Sequence, residues 1–327
     1  MAGIIGGHYR IIKHLSNGGF GKTFLAEDIH LPDNPLCVVK QLMPTHQGLP
    51  LPKNSPIFQV AQRLFNTEAQ VLYKLGEHPQ IPKLFAHFKE NQEFYLVQEF
   101  IEGTILKEEI NDKQWNEAQV IDLLSDILTT LAFIHQHKVI HRDLKPDNLI
   151  RRKRDNKIVL IDFGAVKEIM SQATSSGRQS QLTVVIGTPG YIPSEQFKGK
   201  PNLSSDVYAV GVIAIQALTG LHPVQLSNDA DDEIDWHRYT QVNPRLAEIL
   251  NKMVRQDYHQ RYRSASEALE AILKLNSQPK KRDNKKLIFI LISLLLSIVV
   301  GVVVLSHTID IRPPKNEAPT QRKIPAF

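Results

Sequence analysis

The strongest constraint on this 327-residue chain is one polar string, His141-Arg142-Asp143-Leu144-Lys145-Pro146-Asp147-Asn148, followed nineteen residues after Asp143 by Asp162-Phe163-Gly164. Carboxylates, a lysine and an amide at this spacing fit one chemistry closely. Phosphoryl transfer needs metal ligands facing a nucleotide, a carboxylate beside the incoming hydroxyl and cations over the phosphates, because catalysis there is mainly positioning and charge stabilisation. Asp143 suits the hydroxyl and Lys145 the transferring phosphate. Asn148 and Asp162 offer hard oxygen ligands for Mg²⁺.

The surrounding sequence divides by periodicity. Before Glu102 the pattern is strand-rich, with runs at Tyr9 to Leu15, Thr23 to Asp28, Leu36 to Gln41 and Glu93 to Phe100, and one helical stretch from Phe58 to Leu75. Gln41 to Ile57, with four prolines, reads as a loop. After Glu102 the spacing turns helical at Val120 to His135, Val207 to Leu218, Leu246 to Met253 and Ser266 to Leu275. A small sheet-based lobe followed by a larger helical lobe leaves a cleft between them, a common place for ligands. The single cysteine, Cys37, forms no internal disulfide and points to a reducing compartment.

HRDLKPDN together with DFG resembles the catalytic-loop and magnesium-loop signatures of the protein kinases. The resemblance extends over about residues 9 to 275. Lys145, two places after Asp143, and Gly187-Thr188-Pro-Gly-Tyr191 are similar to serine/threonine rather than tyrosine kinases, and Phe94-Tyr-Leu-Val-Gln-Glu99 is similar to bacterial Hanks-type enzymes. The resemblance implies an α+β, bilobal protein-kinase-like fold: an N-lobe over 1–101 and a C-lobe over 102–275. It also implies ATP and Mg²⁺ as cofactors, and roles for residues elsewhere in the chain.

The family's glycine-rich loop falls on Ser16, Asn17, Gly18, Gly19, Phe20 and Gly21, with Ser16 replacing the first glycine. Lys40 matches the lysine that holds the α- and β-phosphates, and Glu68 matches its ion-pair partner. Glu77 is the competitor for that pairing, but His78-Pro79 follows it and places it past the helix end. Thr23 and Val38 would roof the adenine, Gln98 would be the gatekeeper, and Glu99 and Ile101 would offer backbone hydrogen bonds to the base. Arg142 implies an activation loop ordered by phosphorylation, with Thr183 the first choice among the Ser and Thr residues there. Thr188 is expected to bridge Asp143 and Lys145, Glu195 to pair with Arg261, and Asp206 to anchor the catalytic loop. His141 and Trp236 read as core residues.

Leu287 to Leu305 carries no charge over nineteen residues, which at ~1.5 Å per residue covers roughly 30 Å of hydrocarbon. It is expected to be a transmembrane helix. Lys280, Lys281, Arg282, Lys285 and Lys286 precede it, and only four basic residues are scattered through the 22-residue tail that follows. The positive-inside bias therefore puts 1–279 in the cytoplasm, with a juxtamembrane linker over 276–286 and a short outer tail over 306–327. The net charge of +5 belongs to this end, because residues 1–279 hold 30 basic and 31 acidic side chains. The body thus gives no argument for a nucleic-acid partner.

The expectation is a single-pass cell-membrane protein that phosphorylates Ser or Thr of protein substrates, with a homodimer for trans-autophosphorylation as a further partner. The competing reading is a membrane-anchored pseudokinase or ATP-binding adaptor. Against it, Lys40, Glu68, Asp143, Asn148 and Asp162 are all in place.

Overall fold

The computed structural model describes residues 3–18, 21–46, 48–111, 113–163 and 188–277. Gly19, Phe20, Gly164, Thr183, Gly187 and the expected juxtamembrane, membrane-spanning and tail segments beyond 277 lie outside the described residues. The first strands are β1 (Ile4–Ile5), β2 (Tyr9–Gly18), β3 (Gly21–Asp28) and β4 (Leu36–Leu42). The stretch expected as a loop contains the end of β4 and a small hairpin, β5 (Thr45–His46) and β6 (Leu49–Pro50), before helix α1 (Pro56–Leu75). Strands β7 (Leu84–Glu90) and β8 (Glu93–Glu99) complete an antiparallel sheet in the order β1-β2-β3-β4-β8-β7.

Side-chain alternation in this sheet decides what faces the cleft. In β4, Cys37 and Val39 turn one way and pack with Tyr95 and Val97 of β8. Val38, Lys40 and Leu42 therefore turn the other way, as do Leu96 and Gln98, the cross-strand partners of Lys40 and Val38. Helix α1 covers that second face. It starts where the Ser55 side chain accepts the Phe58 amide at 3.2 Å, with Pro56 in its first turn. Its buried stripe reads Phe58, Ala61, Phe65, Glu68, Leu72. Glu68 occupies a core position of the helix and is aimed at the sheet, whereas Glu77 lies beyond the helix, which ends at Gly76.

The helical half opens with β9 (Gly103–Ile105), α2 (Leu106–Ile110) and α3 (Glu117–Gln136). Strand β10 (Leu149–Arg152) pairs with β9 and with β11 (Ile158–Leu160). Then follow α4 (Ser194–Phe197), α5 (Leu203–Thr219), α6 (Pro244–Met253) and α7 (Ala265–Ser277). Helix α7 thus runs two residues past the expected end of the lobe. Among the described residues, α3 is the one helix long and apolar enough to cross a membrane. It is a core helix instead: Val120, Leu124, Ile127 and Leu131 are fully buried in the main hydrophobic cluster. Helix α5 is buried on every side from Ser204 to Thr219, which explains why its sequence is a continuous apolar run rather than a stripe. It ends at Gly220, whose φ of 70° is the left-handed cap that glycine adopts without strain.

The first turn of α5 carries Asp206, only 1% exposed. Its carboxylate accepts the backbone N–H of His141 at 2.8 Å and of Arg142 at 2.9 Å. It also accepts the His135 ring at 3.0 Å. His135 Nδ1 accepts the Ala265 amide at 3.1 Å, which leaves Nε2 as the protonated nitrogen facing Asp206. One carboxylate thereby ties α3, α5 and the start of α7 to the segment that precedes Asp143, as expected of an anchor. Burial alone would raise the Asp206 pKa, but hydrogen bonds and charge from His135, with His141 and the Arg142 amide, hold it below the usual carboxylate value. A depressed carboxyl stabilises the fold above the unfolded-state pKa of about 4, and that stability is lost as pH falls through the folded-state value. Asp206→Asn is expected to lower unfolding stability at pH 7 by about 3 kcal/mol. The gap to the wild type should narrow below about pH 4, as measured by denaturant unfolding across pH; a gap constant down to pH 3 would contradict the assignment.

Candidate active site

The cleft-facing end of β4 presents Lys40. Its Nζ donates to Glu68 Oε1 at 2.8 Å and to Asp162 Oδ1 at 3.0 Å, so one ammonium holds a carboxylate from α1 and another from the segment after β11. Burial opposes the charge on Lys40, but the Asp162 and Glu68 carboxylates overcome it and raise the lysine pKa above its ordinary value. Burial raises the pKa of Glu68, Lys40 counters this, and the nearby Asp162 charge adds to the rise. Lys40 is thus a permanent cation whose removal would leave two carboxylates facing each other.

A second cluster lies on the segment that Asp206 anchors. Asn148 Nδ2 donates to the Asp143 backbone carbonyl at 2.7 Å and to its carboxylate Oδ2 at 2.8 Å. Both amide hydrogens are used there, which leaves Asn148 Oδ1 as the ligand atom of that side chain. Lys145 Nζ lies 3.6 Å from Asp143 Oδ2 and donates to Thr188 Oγ1 at 3.1 Å, giving the lysine half of the expected bridge. The two clusters adjoin through the backbone, because the Ile161 amide donates to the Asn148 carbonyl at 3.0 Å and Asp162 is the next residue. Asp162 has φ 61°, a left-handed conformation that breaks the extended run after β11. The buried His141 ring packs 4.7 Å from that of Phe163, and burial lowers the His141 pKa, in keeping with a core role.

The donor chemistry fits a hard divalent cation. Among the described residues no three His, Cys, Asp or Glu side chains converge on a metal-holding point. The residues that would hold it are Asn148 and Asp162, two oxygen donors of the kind that hold Mg²⁺ together with phosphate oxygens and water.

The residues expected to border a nucleotide lie on the sheet side of the cleft. Ser16, exposed, pairs across β2 and β3 with Thr23, and Asn17 Oδ1 meets the His14 ring at 2.8 Å. Gly18 faces Gly21 where the two strands join. A Cβ on Gly21 would fall 1.9 Å from the Gln41 carbonyl oxygen, so this glycine is required by the backbone of β4. Val38 lies between Leu25 and Gln98, and Gln98 is 5% exposed. The Glu99 amide donates to the Lys83 carbonyl at 2.9 Å and so is not available to a ligand; Ile101, two residues on, is buried.

Supporting contacts hold the cleft floor. Arg261 grips Glu195 with two nitrogens at 2.7 and 3.1 Å, the expected buried pair, and Ser205 adds a hydroxyl at 2.7 Å. Trp236 is fully buried, as expected, with its indole N–H on Asn251. Two contacts had no signal in the sequence. Gln196 donates to the Arg142 carbonyl at 2.6 Å, and Asp147 pairs with Lys107 of α2 at 2.8 Å. Both join segments distant in sequence through residue types that are common on surfaces.

Comparison with known proteins agrees with this architecture. Residues 9–273 match the protein kinase domain family. The chain is 44% identical over 276 residues to serine/threonine-protein kinase PknA of Nostoc sp., covering 83% of this chain and 48% of that one. It is 41% identical over 273 residues to serine/threonine-protein kinase B of Synechocystis sp., covering 82% and 46%. The chain spans about half the length of the curated relatives it matches. The kinase domain of Mycobacterium tuberculosis PknI superposes with a TM-score of 0.62 at 20% identity, over 84% of this chain and 98% of that one, a likeness of fold. With the matched region spanning the whole two-lobed body, from β2 to α7, the chain belongs to the protein kinase family.

Proposed function

We propose that this chain is a serine/threonine protein kinase that transfers the γ-phosphoryl group of Mg·ATP to Ser or Thr hydroxyls of proteins. The observation that carries the reading is Lys40 held by both Glu68 and Asp162, beside an Asp143–Asn148 pair that itself touches Lys145. The relatives' names, serine/threonine-protein kinases, support the same reaction class.

In this reading Gly18 and Gly21 let the backbone approach the phosphates, Lys40 holds the α- and β-phosphates, and Gln98, the Glu99 carbonyl and Ile101 border the base. Bound Mg²⁺, held by Asn148 and Asp162, would neutralise charge on the phosphate oxygens. Asp143 orients the substrate hydroxyl and takes its proton. The hydroxyl oxygen bonds to the γ-phosphorus as the bond to the β–γ bridging oxygen breaks, and ADP leaves. Lys145, steadied by Thr188, offsets charge on the transferring group. Phosphorylation within 164–187, with Thr183 first, would raise activity through Arg142, and two copies would meet for that step.

With labelled ATP and a generic basic protein, the full chain is expected to transfer phosphate. Asp143→Asn should cut kcat by about 100-fold or more with little change in KM for ATP. Equal and negligible transfer by both, with ATP still bound, would favour the adaptor reading.

The membrane reading rests on the uncharged run 287–305 and its basic approach. A C-terminal tag in sealed vesicles should resist protease added to the cytoplasmic side. A tag cleaved from that side would contradict the orientation.

A further inference from the structure

A cavity of about 570 Å³ opens on the helical lobe, lined by α4, the turn into α5 and the turn before α7. Three cationic side chains border it, Lys198, Lys200 and Arg263, all exposed. None of the three is paired with an acidic side chain among the described residues. Several other exposed cations of the lobe have acidic partners, Lys153 with Glu102, Lys107 with Asp147, and Arg238 with Asp235, whereas Lys113, Lys138 and Lys252 form no ion pair among the described residues and stand apart from this cavity's lining. Here they converge without one.

The carboxylates nearby are already committed. Glu195 lines the cavity, but both its oxygens are taken by Arg261 and one also by Ser205. Asp257 is turned onto the His259 amide and the Gln260 side chain, and Glu267 accepts the Arg263 backbone N–H. The remaining lining is Ser194, Tyr258, the His259 ring, and Asn202 and Ser204, of which the Asn202 Oδ1 accepts the Ser204 amide and hydroxyl at the start of α5. The positive end of the α5 dipole points to the same place. Phe197 of α4, the residue before Lys198, is 68% exposed.

We propose that this cavity is a second binding site, distinct from the cleft, for a phosphorylated serine or threonine in a peptide. Several cations with hydroxyl and amide groups around one concavity match a dianionic phosphate with three acceptor oxygens. The exposed Phe197 and Tyr258 suit adjoining peptide. This inference rests on the kinase reading in one respect: phosphoserine and phosphothreonine are what that reaction makes, so the site would retain a substrate already phosphorylated elsewhere.

The test uses the full chain in neutral detergent, with the cleft saturated by Mg²⁺ and a non-hydrolysable ATP analogue. The probe is an alanine pentapeptide with a central phosphoserine, followed by ³¹P NMR line broadening. The readout is binding without turnover, so a chain that failed to transfer phosphate could still support the site, and an active kinase could still fail it. The wild type is expected to broaden the phosphopeptide signal in a titration that the unphosphorylated twin does not displace. Lys198→Ala, Lys200→Ala and Arg263→Ala together should weaken binding by about tenfold or more, with the melting temperature unchanged because all three side chains are exposed and form no ion pair among the described residues. Equal binding by the triple variant would overturn the proposal. Inorganic phosphate binding as tightly as the peptide, or displacement of the peptide by phosphatidylglycerol micelles, would overturn the assignment to peptides.

Discussion

Lys40 pairs with two carboxylates that reach it from different elements, Glu68 from a helix on the sheet and Asp162 from the segment after β11. Separately, each pairing would be a local matter. Joined on one ammonium, they fix the position of α1 against β4 and of Asp162 against both. The electrostatics enforce the arrangement: Glu68 and Asp162 repel, as the upward push of Asp162 on the Glu68 pKa shows, and only the intervening cation makes their approach favourable. A buried charge left without its partner typically costs about 3–5 kcal/mol, so the cluster is occupied as a whole or lost as a whole.

The other half of the site depends on a buried helix rather than on an ion pair. Because α5 is enclosed on every side, its first turn is a rigid base, and Asp206 uses it to hold two consecutive backbone amides just before Asp143. Asp143 and Asn148 are then fixed relative to each other by the bonds from the Asn148 amide. The sheet supplies a strong cation, the helical lobe supplies oriented oxygens, and both meet where Ile161 bonds to Asn148. Positioning of this kind is what phosphoryl transfer asks of a protein.

Much of this was legible in the residues, for identifiable reasons. The strands β2, β3, β4 and β8 alternate strongly, and α1, α3, α6 and α7 carry stripes, so periodicity found them. Strand β7 escaped because Phe85, on its solvent face, is 51% exposed and spoils the alternation of Leu84, Ala86 and Phe88. The hairpin of β5 and β6 escaped because its prolines resemble loop punctuation. Glu68 was separable from Glu77 by the helix stop. What sequence could not show was the sharing of Lys40 between two acids, the grip of Gln196 on Arg142, or the unpaired cations beside Glu195. Asp162 reaches Lys40 across 122 residues and Gln196 reaches Arg142 across 54, while the cations border a surface concavity, and no local pattern encodes any of these.

The central claim is that Lys40 and Glu68 act as one unit in transfer. A double-mutant cycle on kcat/KM with Lys40→Met, Glu68→Gln and the pair measures this directly. If the unit is real, the double variant is no more than about twofold slower than the slower single variant, since either change already dismantles the cluster. A double variant slowed by the product of the two single effects would show that the residues act independently, and would contradict the account.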